Sequence, residues 1–92
     1  MSRNLLISYD LYRPGQNYDD VAARIRSLGV AVKVHKSFWY VRSDHAPSAA
    51  AGHIWKVMDA NDTLFVADAK SNDAAWYNLP DRVTQLLQEH WA

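Results

Sequence analysis

Asp10 is the residue whose position in this sequence most suggests chemistry, because it ends an apolar run from Leu5 to Tyr9. Such a run is typical of a buried central strand. Mg²⁺ prefers hard oxygen ligands and often takes only one or two carboxylates, keeping several waters. A bound Mg²⁺ would activate water and neutralise phosphate charge. Asp10 is therefore a candidate metal ligand; the simpler interpretation is that it only caps the following loop.

Basic and polar side chains occupy a second strand-like stretch, which runs from Lys33 to Val41 and contains a corner. Positive side chains supply the sequence-independent part of nucleic-acid binding. The predicted nucleic-acid-binding residues are Arg13, Lys33, Lys36, Ser37 and Arg42. His35 is a candidate accessory general base, since imidazoles titrate near neutral pH. The alternatives are an ordinary solvated rim for the cations and a surface or interface position for His35.

The amino-acid composition bears on both predicted functions, metal binding and nucleic-acid binding. The 92 residues are 49% apolar and predict one globular domain, residues 1–92. The net charge is zero, with 10 basic and 10 acidic residues, which argues against general nucleic-acid binding. However, seven of the basic residues and only three of the acidic ones lie in the first 42 positions. The chain has no cysteine, which excludes a disulfide scaffold or a thiolate zinc site and favours a cytoplasmic location.

The spacing of apolar residues predicts the order β-α-β-β-α-β followed by a C-terminal helix. A first helix is indicated by residues at helical spacing, namely Tyr18, Val21, Ala22, Ile25 and Leu28. Gly29 is predicted to end this helix in a left-handed conformation, and Asp20 and Arg24 are spaced to form an ion pair. Alternation before and after the corner at Lys36 predicts a hairpin.

Two strand–helix–strand halves of this kind form a four-stranded antiparallel sheet, with the first and third strands central. This is the ferredoxin-like architecture of the α+β class. Alternation predicts that Leu5, Ile7 and Tyr9 face the helices, whereas Asp10 lies on an open face. It also predicts that the valines of the second strand face the helices, leaving Ala31, Lys33 and His35 on the open face. A face that mixes apolar and charged groups is commonly covered by a second subunit or a ligand.

Several of these segments are similar to a known superfamily. They are the strand that ends in Tyr9-Asp10, the helix that closes on Leu28-Gly29, the valine-rich strand, His35-Lys36-Ser37-Phe38, and a late strand at Asp62-Thr63-Leu64. Together they resemble the small CRISPR-associated protein of spacer acquisition. They resemble still more its stand-alone SinR-like and VapD-like relatives, over roughly residues 4 to 69.

The resemblance implies a homodimer in which two copies of Asp10 lie near the twofold axis and hold a divalent metal ion, Mg²⁺, for phosphodiester hydrolysis. It matches Ser37 to the serine that precedes the phenylalanine in the family, with Tyr9 as an accessory residue. His35 stands where members of the family commonly have glutamine. Many relatives act only as a structural bridge that holds DNA, so the resemblance implies nucleic-acid association, DNA or RNA, with or without endonuclease activity.

Two other interpretations follow from the residues. Lys36 to Val41 loosely matches the basic and aromatic pattern of the RNA-recognition motif, in which Phe38 and Tyr40 would stack on bases. Trp39, however, stands where that motif has a small residue, and Leu6 stands where an aromatic residue is expected. The third interpretation is a non-catalytic interaction module whose open face serves only for dimerisation; the neutral charge favours it.

Overall fold

The computed structural model describes residues 2–12, 18–70 and 74–91. Four strands and three helices follow each other in the predicted order. They are β1 (Arg3–Asp10), α1 (Tyr18–Arg26), β2 (Gly29–His35), β3 (Phe38–Ser43), α2 (Pro47–Trp55), β4 (Thr63–Asp68) and α3 (Asp81–His90). The α+β class is therefore confirmed. None of the helices in the described residues has both the length and the apolarity that crossing a membrane requires.

The strands form one antiparallel sheet in the order β2-β3-β1-β4. Strands β1 and β3 are therefore central, as predicted from their apolar character. The hairpin between β2 and β3 is also confirmed, with only Lys36 and Ser37 forming its turn. A central strand is hydrogen-bonded to a neighbouring strand along both of its edges. Its side chains point to the two faces of the sheet, and they are buried where a helix covers that face.

The main core lies between one face of the sheet and helices α1 and α2. Both the central strands and the two helices contribute side chains to it. Its buried members are Leu5, Ile7, Tyr9, Leu11, Val21, Ile25, Leu28, Trp39, Val41, Ala50 and Ile54. The predicted inward position of alternate β1 residues and the predicted apolar stripe of α1 are both confirmed.

A second, smaller core lies on the opposite face of the sheet, where α3 packs. It contains the buried residues Val32, Tyr40 and Leu87. The prediction that the valines of β2 face α1 and α2 is wrong. In the observed register Ala31 is opposite Val41 in the main core, while Val32 is opposite Tyr40 and lies under α3. The face predicted to be open is thus partly covered by the chain itself, because the amphipathic α3 supplies the apolar partner that β2 needs.

Gly29 does not end α1 in a left-handed conformation as predicted, but is the first residue of β2. A Cβ atom at this position would overlap the backbone carbonyl of Arg42 on β3. Glycine is therefore needed here because two backbones approach each other closely, and not for its conformational freedom.

Replacing Gly29 with alanine is expected to lower the free energy of unfolding by about 1–3 kcal/mol, the usual cost of overpacking a site that cannot easily yield. Urea unfolding would measure the change. Gly52→Ala is the matched control, because a Cβ atom there meets nothing within 4 Å. That substitution should stabilise the protein by roughly 0.5–1 kcal/mol, since alanine is favoured over glycine inside a helix. Equal effects of the two substitutions would contradict the proposed close approach.

Candidate functional site

Asp10 is exposed at the end of central strand β1, paired with Thr63 of β4. Its neighbour Tyr9 points into the main core. Because side chains alternate along a strand, Asp10 lies on the opposite face, the one that carries α3. Ser8 is exposed on this same face, so α3 leaves this end of the sheet uncovered.

A backbone hydrogen bond holds the turn between β2 and β3 next to Asp10. The amide N–H of Tyr9 donates to the carbonyl oxygen of Ser37 at 3.1 Å. Lys36 and His35 are exposed, and the His35 ring lies 6.3 Å from that of Phe38. The fold thus gathers Asp10, His35, Lys36 and Ser37 at one end of the sheet although more than 20 positions separate Asp10 from the turn in the sequence.

The other predicted site residues lie elsewhere. The buried Tyr9 hydroxyl accepts a hydrogen bond from Trp39 Nε1 at 3.2 Å, within the main core. Lys33 is opposite Trp39 and therefore lies on the face of α1 and α2. Arg42 is exposed, but it stands four residues along β3 from Phe38, which is about 13 Å at the usual strand rise. Arg13 lies outside the described residues.

The described residues contain no group of three or more histidine and acidic side chains arranged to hold a metal ion. Asp10 supplies one carboxylate per chain, so the predicted Mg²⁺ site requires a second Asp10 from another copy. The site with two copies remains a prediction.

Asp62, which lies just before β4, is a buried structural carboxylate. One of its oxygens accepts the amide N–H of Tyr12 at 2.7 Å, and the other accepts that of Asp59 at 2.7 Å. It is 5% exposed. Asp62 therefore fastens the segment after β1 to the loop before β4, and both of its oxygens are occupied by backbone donors.

Tyr40 is fully buried beneath the C-terminal segment. Its ring stacks on Trp91 with centroids 5.1 Å apart, and its hydroxyl lies 2.7 Å from Asn4 Oδ1 and 2.8 Å from the carbonyl oxygen of His90. A base therefore cannot stack on Tyr40 unless α3 moves away. This arrangement contradicts the RNA-recognition-motif interpretation, which needs both Phe38 and Tyr40 to be accessible.

The uncovered part of this face also carries an exposed aromatic side chain that the sequence analysis did not single out. Phe65 of β4 is opposite Ser8 and is 67% exposed. Its inward neighbours Leu64 and Val66 pack against the main core, and this alternation could have indicated that Phe65 faces outward.

No protein-family model matches this chain, and the comparisons with curated proteins and with solved structures gave no match either.

Proposed function

We propose that this protein is a cytoplasmic, nucleic-acid-binding homodimer of ferredoxin-like fold, related to the small CRISPR-associated protein and its SinR-like and VapD-like relatives. In this proposal the two copies of Asp10 hold Mg²⁺ for phosphodiester hydrolysis. The observation that carries the proposal is the exposed Asp10 beside the Lys36–Ser37 turn, on the part of the sheet that α3 leaves uncovered. The strand order β2-β3-β1-β4 supports the ferredoxin-like assignment.

The chemistry of this corner fits a phosphodiester. Lys36 supplies a positive charge for a phosphate oxygen, and Ser37 can supply a hydroxyl donor. A metal ion bound by Asp10 would offset the negative charge that develops on the phosphate and would lower the pKa of a bound water. Arg42 lies too far along β3 to act on the same phosphate, and Lys33 lies on the opposite face of the sheet. In this proposal both contact other parts of a longer nucleic acid.

Nucleic-acid binding is tested with Lys36→Gln and fluorescence anisotropy on labelled single- and double-stranded RNA and DNA. We expect the wild-type protein to bind at low salt, with an affinity that falls as salt is raised because counterions are released. Lys36→Gln should weaken binding uniformly across sequences and reduce the slope of log affinity against log salt by about one per lost phosphate contact.

Lys70→Gln is the matched control, since Lys70 is also an exposed lysine but follows the opposite end of β4. Equilibrium sedimentation of the same samples measures the oligomeric state. Absence of binding at low salt would contradict the proposed phosphate contact. The same affinity and salt dependence in the Lys36 and Lys70 variants would also contradict it. A monomer at all concentrations would refute the two-copy metal site.

A non-catalytic dimerisation module is a second candidate, and the exposure of Phe65 favours it. An aromatic side chain on an uncovered sheet face gains most by contact with another surface. This candidate predicts a dimer that Phe65→Ser dissociates and that neither binds nor cleaves nucleic acid.

A further inference from the structure

A second polar site lies on the other side of the sheet, in a shallow cleft between α1 and α2 of about 400 Å³. Its lining residues are Asp20, Ala23, Arg24, Ser27, His53 and Val57. Since α1 and α2 pack on the face opposite Asp10, this cleft is separate from the corner that contains Asp10, Lys36 and Ser37.

Three side chains in the cleft form a continuous hydrogen-bonded chain. Arg24 Nη1 lies 3.3 Å from His53 Nδ1, and His53 Nε2 lies 2.7 Å from Ser27 Oγ. The Ser27 hydroxyl donates to the carbonyl oxygen of Arg24 at 2.7 Å. A guanidinium can only donate, so Nδ1 accepts and Nε2 carries the proton of a neutral ring. His53 is thus held in its uncharged form with one specific tautomer.

Arg24 forms no ion pair with any acidic side chain that the structure describes. The sequence predicts an ion pair with Asp20, but among the described residues no ion pair joins Arg24 to Asp20 or to any other acid. The predicted pair is therefore not formed, because Arg24 turns toward His53 on α2. A half-buried guanidinium with a neutral acceptor retains several free N–H donors, in the planar arrangement that suits oxyanions.

The surroundings of His53 are positive. Its partial burial between the helices lowers the pKa of the imidazole below 6.5, and the charges of Arg24, Lys56 and His45 lower it further. Among the described residues that line the cleft, Asp20 is the only acidic one. An anion bound in the cleft would raise the pKa of His53 again, because it would stabilise the protonated imidazole and the guanidinium together.

We propose that this cleft binds a phosphate group, with the Arg24 guanidinium and the protonated His53 imidazole as its donors. Protonation turns Nδ1 from an acceptor into a donor, so the ring can no longer accept from Arg24 and both groups become free to donate to one oxyanion. Ser27 keeps the ring oriented through Nε2. Binding is therefore coupled to the uptake of one proton.

Sulfate is the probe of choice, because its charge stays constant between pH 5.5 and 7.5 whereas that of inorganic phosphate does not. NMR titration of the His53 ring signals would report its binding. Since only the protonated form binds, we expect the apparent affinity to rise at least about tenfold from pH 7.5 to pH 5.5, following the fraction of His53 that is protonated.

Three variants make the test specific. Arg24→Gln should abolish binding, whereas Arg82→Gln, which removes an exposed arginine of α3, should not change it. His53→Gln keeps a hydrogen-bond donor but cannot take up a proton, so any binding that remains should lose its pH dependence. Because this variant lacks the ring signals, its binding is followed by the backbone amide signal of Ser27, which lines the same cleft. Binding without pH dependence in the wild-type protein, or equal loss in the Arg24 and Arg82 variants, overturns the proposal.

The source of the phosphate group is distinguished with three ligands at pH 5.5. Inorganic phosphate alone tests a free anion, and a short RNA with a 5′-phosphate is compared with the same RNA ending in a 5′-hydroxyl. Equal effects of the two RNAs on the His53 signals identify a backbone diester, and an effect of the first RNA alone identifies a terminal monoester. Asp10→Ala should leave every one of these results unchanged, because the cleft lies on the opposite face. The outcome of this test is therefore independent of whether the proposed nuclease activity exists.

Discussion

Replacing Asp10 with alanine is expected to lower Mg²⁺-dependent cleavage of nucleic acid by at least about 100-fold. A metal ion supplies several kcal/mol of transition-state stabilisation, and each 1.36 kcal/mol corresponds to about tenfold in rate. In the proposed dimer one substitution removes both carboxylates that hold the ion. The measurement is the rate of cleavage of labelled RNA and DNA with and without Mg²⁺, at a protein concentration where the dimer is formed.

Asp19→Ala is the control for this experiment, since Asp19 is an exposed aspartate in the first turn of α1. Circular dichroism should show that both variants keep the fold, because neither carboxylate lies in a core. Cleavage that survives Asp10→Ala, or that proceeds equally well without a divalent ion, would show that the activity does not arise at this site.

Replacing Trp39 with alanine is expected to destabilise the fold by about 3–5 kcal/mol, the usual cost of truncating a buried tryptophan. Trp39 is 2% exposed, lies in the main core and donates from Nε1 to the Tyr9 hydroxyl. The Arg26 guanidinium lies 5.1 Å from its ring centroid, which adds a cation–π contact at the surface. A loss of this size is a large part of the 5–15 kcal/mol that typically stabilises a domain.

Thermal and urea unfolding would measure this loss, with Trp55→Ala as the control of the same residue type. Trp55 is 41% exposed near the end of α2, so its truncation should change the stability by less than about 1 kcal/mol. If both substitutions cost the same, Trp39 does not have the central position in the core described above.

The sequence predicted those features that depend on local patterns. The helical spacing of Val21 and Ile25 predicted the buried face of α1, and the alternation of Leu5 and Ile7 predicted the core face of β1. The hairpin could be predicted because β-branched and aromatic residues flank a turn of two residues. These patterns arise within a few residues, so they are visible without knowledge of the rest of the chain.

The wrong predictions all involve partners far apart in the sequence. The face of β2 depends on α3, about 50 positions later, which offers an apolar surface to Val32. The role of Gly29 depends on the approach of Arg42 in the neighbouring strand. Arg24 was expected to pair with Asp20 one turn away, but it donates to His53 of α2.

In the candidate site, too, some properties of Asp10 could be predicted from the sequence and others depend on the tertiary structure. Its type and its position after an apolar strand could be predicted from the sequence, because a buried strand that ends in a carboxylate is a local feature. The tertiary structure alone decided its neighbours. Pairing of β1 with β3 brings Lys36 and Ser37 beside Asp10 and carries Arg42 to the far end, while alternation turns Tyr9 into the core. Register and strand order are set by how the whole sheet buries its apolar faces, so they cannot be inferred from any one segment.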